Sequence, residues 1–188
     1  SGFLSLSSSN GGTAGRSGGV KLFSGQTSSS VSGDLSLTTG TATSSNSGQI
    51  VLQTGISNVG NGADISLTAG LTNAAANGGS INIMSGHGEN LSGEMKLQTA
   101  DRNANSNGAS GQATLQTGKT FNGASGQVTI ESGKATGGAS GIITIQPGES
   151  TDVTSSNMYL VGGKTSSENS ANGGMLSLFG GQSESEGN

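Results

Sequence analysis

The side chain with the widest chemical range in this sequence is its single histidine, His87. It lies in the segment Gly86-His87-Gly88-Glu89, where an imidazole stands two residues from a carboxylate. One imidazole and one carboxylate supply too few ligands for a calcium or zinc site. The flanking glycines are typical of a loop, so we interpret His87 as a solvated loop residue.

Three carboxylates recur at a regular interval and are the other candidates for catalysis. Asp34, Asp64 and Glu94 occupy the same position in alternate copies of a sequence repeat described below. On alternate strands of a sheet they would stand roughly 10 Å apart, which is two strand spacings. That separation is wide for an acid–base pair, and the chain has no cysteine nucleophile. We therefore predict that the protein is not an enzyme and holds no cofactor or metal.

Composition excludes two further classes of partner. Seven basic residues scattered among eleven acidic ones, with a net charge of -4, give no basic patch for nucleic acid. No apolar run approaches the roughly 18 residues of a membrane span.

Hydrophobic residues make up only 29% of the chain, which is typical of flexible low-complexity sequences. The few aliphatics follow a strict repeat, however, and this regularity favours a folded chain.

The repeat is Ser-Gly-x-φ-x-φ-x-(Ser/Thr)-Gly followed by a polar loop, where φ is apolar. It is clearest in the segments 110–118, 125–133 and 140–148, which are spaced by fifteen residues. Copies of 14 to 18 residues fill the whole chain of 188 residues. Position 1 is the first residue of each repeat, and the other positions are counted from it. The first residues are Ser1, Ser17, Ser32, Ser47, Gly62, Gly78, Ser92, Ser110, Ser125, Ser140, Ser155 and Gly173.

Positions 4 and 6 are apolar in every repeat, while positions 3, 5 and 7 are mostly polar. This period-two alternation predicts a short strand with one face inward. Stacked strands would join into one column, so we predict an all-β fold: a single parallel β-solenoid (β-helix) of about twelve coils, right-handed by the general crossover preference. The core ladder would be Leu6, Leu22, Leu37, Leu52, Leu67, Ile83, Leu97, Leu115, Ile130, Ile145, Leu160 and Leu178.

Small and hydroxyl residues occupy the rest of the repeat. Glycine at positions 2 and 9 would form the corners that flank each strand. Ser or Thr at position 8 predicts a hydroxyl ladder near one corner. The small residue at position 11, such as Thr27 or Ser57, would face the aliphatic column from the returning segment.

The repeated Ser-Gly-x-φ-x-φ-x-Thr-Gly unit resembles the Gly/Ser/Thr-rich solenoid arrays of large secreted proteins of diatoms and related algae. The resemblance extends over the whole chain because the unit does. It implies a fragment or subunit of an extracellular or cell-surface protein, such as a wall or appendage component. It transfers no functional residue to this sequence.

Some apolar residues occupy positions where polar residues are usual. On adjacent coils those of the last three repeats would form one patch, and we predict a lateral protein contact there. A smaller cluster lies near the other end of the chain. These interface candidates are Ile142, Tyr159, Val161, Met175 and Phe179, together with Phe3 and Phe23.

Two further expectations concern the ends and one asparagine. The first and last repeats show no capping element, so we expect further copies, or more of a longer chain of the same repeats, to stack on both ends. Asn90-Leu91-Ser92 is a sequon, and Asn90 is a possible glycosylation site if the protein is secreted by a eukaryote.

The favoured function is a structural, non-catalytic building block of an extracellular filament, appendage or matrix that assembles end to end and laterally. The alternative is an adhesive or binding module for polysaccharide, mineral or ice, because regular rows of hydroxyl and amide groups suit such surfaces. Thr114, Thr129 and Thr144 form one short row at position 5. Uncapped ends and the apolar patch favour assembly over binding.

Overall fold

The computed structural model describes residues 2–101, 108–151, 154–166 and 172–182. Within these ranges there is no helix and no strand. The predicted all-β solenoid is therefore wrong. The period-two alternation is real in the sequence, but the segments that carry it form no hydrogen-bonded ladder in the described part of the chain.

A packed core is also absent from the described residues, since no side chain there is buried. The twelve ladder residues at position 6 are between 53% and 84% exposed, from Leu160 to Leu97. The physical reason lies in the composition. Two aliphatics per fifteen residues offer little apolar surface, and ordering a residue costs about 1–2 kcal/mol in backbone entropy. The free energy gained by burying so few apolar side chains therefore does not offset the entropic cost of ordering the chain, however regular their spacing.

The repeat is nevertheless visible in the backbone. Each repeat has a segment without turn or bend over positions 2–8, which we call the extended segment, and a turn or bend then starts at position 12 in repeats 1–6 and 8–10. These bends cover residues 12–15, 28–30, 43–45, 58–60, 73–76, 89–90, 121–123, 136–138 and 151. The sequence repeat thus sets a series of similar bends in nine of the twelve repeats, within the residues that the structure describes.

In four of these bends the backbone adopts a conformation that favours glycine. Gly12, Gly60, Gly123 and Gly137 all have positive φ, between 67° and 122°, and all lie at positions 12–14. Residues with a Cβ rarely adopt this region.

Hydroxyl groups at position 11 stabilise several bends from within. The amide of Ser30 donates to Thr27 Oγ1 (3.2 Å), and that of Ala74 donates to Thr72 Oγ1 (3.2 Å). Ser57 Oγ donates to the carbonyl of Val59 (3.0 Å). These are local side-chain turns of the kind that Ser and Thr favour. Position 11 therefore does not face a core, as the solenoid required, but holds the following bend.

The chain divides into two units, Ser1–Met95 and Lys96–Asn188. Both contain the same succession of extended segment, bend and next segment. In the first unit, the turn at residues 12–15 is closed by the amide of Gly15, which donates to the carbonyl of Gly11 (3.0 Å).

Candidate functional site

Seven of the eleven partly covered residues in the described chain lie where a loop closes. We call this the loop mouth: positions 8 and 9 of one repeat together with position 2 of the next. The partly covered residues at position 8 are Ser8, Thr54, Ala69, Ser85, Thr117, Ser132 and Gly162, whereas most of the other described residues are exposed. The hydroxyl ladder predicted at a solenoid corner is instead a series of separate loop closures.

Hydrogen bonds across the mouth follow one pattern. The amide at position 2 donates to the carbonyl at position 9 of the preceding repeat in Gly79 to Gly70 (2.9 Å), Gly93 to Gly86 (2.8 Å) and Gly174 to Gly163 (2.7 Å). At the first mouth the closing hydrogen bond comes from a side chain, since Ser8 Oγ donates to the carbonyl of Gly18 (2.8 Å). At these four mouths a single hydrogen bond joins consecutive repeats, and it does not propagate into a ladder in the described residues.

Side-chain packing at several mouths leaves room for a Cβ at position 2. A Cβ on Gly126 would lie 3.6 Å from Thr117 Cβ, and one on Gly141 would lie 3.5 Å from Ser132 Cβ. Such spacing is ordinary van der Waals contact, so alanine or serine fits there. The sequence uses this freedom, since Ala63 occupies position 2 of the fifth repeat.

Two mouths are tighter. A Cβ on Gly174 would lie 2.8 Å from the amide nitrogen of Gly163, and one on Gly79 would lie 3.0 Å from that of Gly70. Both glycines also donate the hydrogen bond that closes their loop. Glycine at these two positions is required by close backbone approach rather than by an unusual φ.

We expect Gly174→Ala to open its loop and Gly48→Ala to leave its loop closed. A Cβ at Gly48 would be 3.7 Å from Thr39 Cγ2, which is a normal contact. Amide hydrogen exchange measured by NMR at low protein concentration checks this. The residue 174 amide should lose its protection in the first variant, and no amide near Thr39 should change in the second. The Gly118 amide has no hydrogen-bond partner in the described structure and serves as the reference. If the amides of Gly174 and Gly118 exchange at the same rate in the unsubstituted chain, the hydrogen bond that closes the loop at Gly174 is not formed.

The aliphatic side chains form the second regular feature. Position 4 is 47–57% exposed in repeats 2–7 and 9–12. Apolar residues at odd positions are more exposed, as Phe23 and Phe179 at position 7 show (80% and 89%). One side of most extended segments is thus partly covered, although neither side is buried. We call the side chains at positions 4 and 6 the ladder face.

Consecutive repeats share this face at one described place. Leu97 at position 6 of the seventh repeat, with Ala113 and Leu115 at positions 4 and 6 of the eighth, lines an open, mostly apolar groove. Gln98, Thr99 and Thr114 complete it. The two segments lie close at their loop mouth, where a Cβ on Gly111 would be 3.7 Å from Thr99 Cβ. The groove is therefore the space between neighbouring ladder residues that do not meet.

The predicted interface residues are all accessible in the described structure. Phe3, Phe23, Ile142, Tyr159, Val161, Met175 and Phe179 are 79–92% exposed. The Asn157 side-chain amide donates to the Tyr159 hydroxyl (3.1 Å), which orients the ring locally. No sheet carries these residues in the described part, so the single strand-face patch expected from stacked coils has no scaffold there.

The polar candidates also remain separate. His87, Asp34, Asp64 and Glu94 are exposed, and the described residues contain no group of three or more histidine, cysteine or acidic residues placed to hold a metal ion. Asn90 is exposed in the bend at residues 89–90, so its side chain is accessible. Glycosylation of Asn90 stays a prediction. No helix among the described residues has the length and hydrophobicity that crossing a bilayer requires.

Sequence reasoning missed the loop mouth, which is the best-defined contact in the described chain. The signal was present in the pairing of Ser or Thr at position 8 with Gly at position 2 of the following repeat, eight to twelve residues later. Comparison of the chain with protein-family models, with curated proteins and with solved structures finds no match. The site therefore has to be interpreted from its own geometry.

Proposed function

We propose that this protein is a structural, non-catalytic building block that associates with further copies of itself in an extracellular filament, appendage or matrix. The observation that carries the proposal is the ladder face. Its aliphatic residues recur in every repeat, yet about half or more of each large side chain stays exposed. Repeated exposed apolar surface of this kind is a mark of an interaction site.

The energetic case rests on the uncovered part of the ladder. Burying a Leu or Ile side chain completely stabilises by about 1.5–3 kcal/mol. For a side chain such as Leu37, which is 63% exposed, covering the rest contributes on the order of 1 kcal/mol. The contribution recurs with every repeat, so the gain grows with the length of the contact.

The charge of the chain also supports association. A net charge of -4 over 188 residues gives weak repulsion between copies. Within the extended segments the charged residues occupy odd positions, such as Lys21 at position 5 and Glu131 at position 7. The ladder face itself carries no charge in any repeat.

The extracellular setting is supported by the resemblance of the repeated unit to secreted algal arrays. Stacking on the two ends was expected from open terminal coils, and that reasoning depends on a solenoid. The ladder face supplies a different route, in which copies associate side by side along their repeats.

Negative-stain electron microscopy and light scattering over a concentration series test the proposal. We expect the scattered intensity per unit mass to rise with concentration and elongated particles to appear. A chain that stays monomeric at high concentration in moderate salt would overturn the proposal. It would direct attention to the alternative, a binding module for polysaccharide, mineral or ice.

A further inference from the structure

We infer that the contact between copies is made through the ladder face, with the ladder of a second copy covering that of the first. The inference rests on the proposed self-association and adds the surface and the partner. The ladder face consists of the twelve residues at position 6 given above and of Leu4, Val20, Leu35, Ile50, Ile65, Ile81, Met95, Ala113, Val128, Ile143, Met158 and Leu176.

The surface that the whole chain leaves exposed is large compared with the needs of a stable interface. The chain exposes 19433 Å². A folded monomer of 18.1 kDa exposes roughly 8000 Å², from the scaling of accessible surface with mass. A stable protein–protein contact buries about 1600 Å² in total. The excess surface is several times what one such contact consumes.

The repeat period identifies the partner. A surface that covers the ladder has to present apolar groups at the same interval of about fifteen residues, and a second copy of this chain does so along its whole length. Both surfaces are uncharged, so bringing them together buries no unpaired charge. Because the repeats are alike, two copies shifted by one repeat still match, and the overhanging ladder can take up a third copy.

The open groove between repeats seven and eight shows how a second copy fits. Leu97 and Leu115 are 84% and 77% exposed, more than most of the ladder residues, and they face a common space. An aliphatic side chain from another copy that enters this groove would contact both of them. Such an insertion covers residues that their own chain leaves apart.

The four methionines provide a footprint of the contact without any substitution. Met95 and Met158 lie at position 4, on the ladder face, and are each 49% exposed. Met84 at position 7 and Met175 at position 3 lie on the other side and are 92% and 86% exposed. Methionine oxidation by peroxide follows exposure, so the two pairs report on opposite sides of the extended segments.

The experiment is brief, low-dose peroxide oxidation of the purified full chain, before and after assembly, with each sulfoxide quantified by mass spectrometry. In the dispersed chain we expect Met84 to oxidise about twice as fast as Met95 or Met158. In assemblies we expect oxidation of Met95 and Met158 to fall at least tenfold while that of Met84 stays unchanged. Because only this protein is present, any protection comes from a second copy.

The other outcomes separate the two proposals. Protection of Met175 with no protection of Met95 or Met158 would overturn the ladder contact and leave self-association standing, through the patch that includes Tyr159 and Phe179. Equal protection of all four methionines would also overturn a face-specific contact. If no assemblies form under any condition, the proposed function itself fails.

Discussion

The dispersed chain is expected to lose its structure in urea gradually, without a sigmoidal transition. Its exposed surface of 19433 Å² compares with roughly 26000 Å² for a fully extended chain of this mass. Unfolding therefore exposes roughly 7000 Å² of new surface, whereas a compact domain of equal mass would expose about 18000 Å². The slope of unfolding free energy against urea scales with this area, so it should be about two-fifths of that of a compact domain.

Far-UV circular dichroism and the fluorescence of Tyr159, the only tyrosine, provide two probes of this behaviour. Measurements at low concentration report the dispersed chain, and a concentration series serves as the control. Association would add a transition whose midpoint rises with protein concentration. A sharp transition that is coincident for both probes and independent of concentration would show a packed core, which the described residues lack.

Placing charge on the ladder face is expected to abolish self-association. In the triple variant Leu37→Asp, Leu52→Asp, Leu67→Asp, three consecutive repeats would have to bury a carboxylate in any ladder contact. An unpaired buried charge costs several kcal/mol, so the concentration needed for assembly should rise at least a hundredfold. Light scattering over a concentration series measures this shift directly.

A matched control variant lies one residue further along each segment. Thr38→Asp, Gln53→Asp, Thr68→Asp adds the same three charges at position 7, on the opposite side by the period-two alternation. We expect it to shift assembly by less than tenfold, through general repulsion alone. If both variants assemble alike, the contact does not use the ladder face. Neither variant depends on preserving a folded core, since none is present in the described residues.

The difference between the predicted solenoid and the structure lies in what alternation can establish. Alternating apolar residues show that one side of each segment is apolar, and the partial covering of positions such as Ile50 and Ile143 agrees with this. Alternation does not show that consecutive segments are close enough to pair. That requires enough buried surface to offset the entropy of ordering each repeat. Two large aliphatics in fifteen residues, such as Val128 and Ile130 in the ninth repeat, do not provide it.

The loops illustrate the opposite case, in which local chemistry was sufficient. Positive φ at Gly60 and Gly137 and the hydroxyl turns at Thr27 and Thr72 depend on residues within a few positions of one another. Local turn preferences need no distant partner, so a bend at position 12 recurs through most of the chain. Glycine at positions 2 and 9 was assigned to corners flanking a strand. Its observed role is to let two backbone segments approach closely enough for the amide of Gly79 to donate a hydrogen bond to the carbonyl of Gly70.

By itself the sequence determined the repeat, the sidedness of each extended segment and the glycine-rich bends, because these depend on short-range spacing and on residue type. Only the tertiary structure decided whether the apolar sides of consecutive extended segments pack against one another. It pairs position 8 with position 2 of the next repeat, as in Thr117 with Gly126, and leaves the ladder aliphatics exposed. The physical reason is that one hydrogen bond and one small contact can close a loop of eight to twelve residues, whereas a core requires many apolar contacts at once.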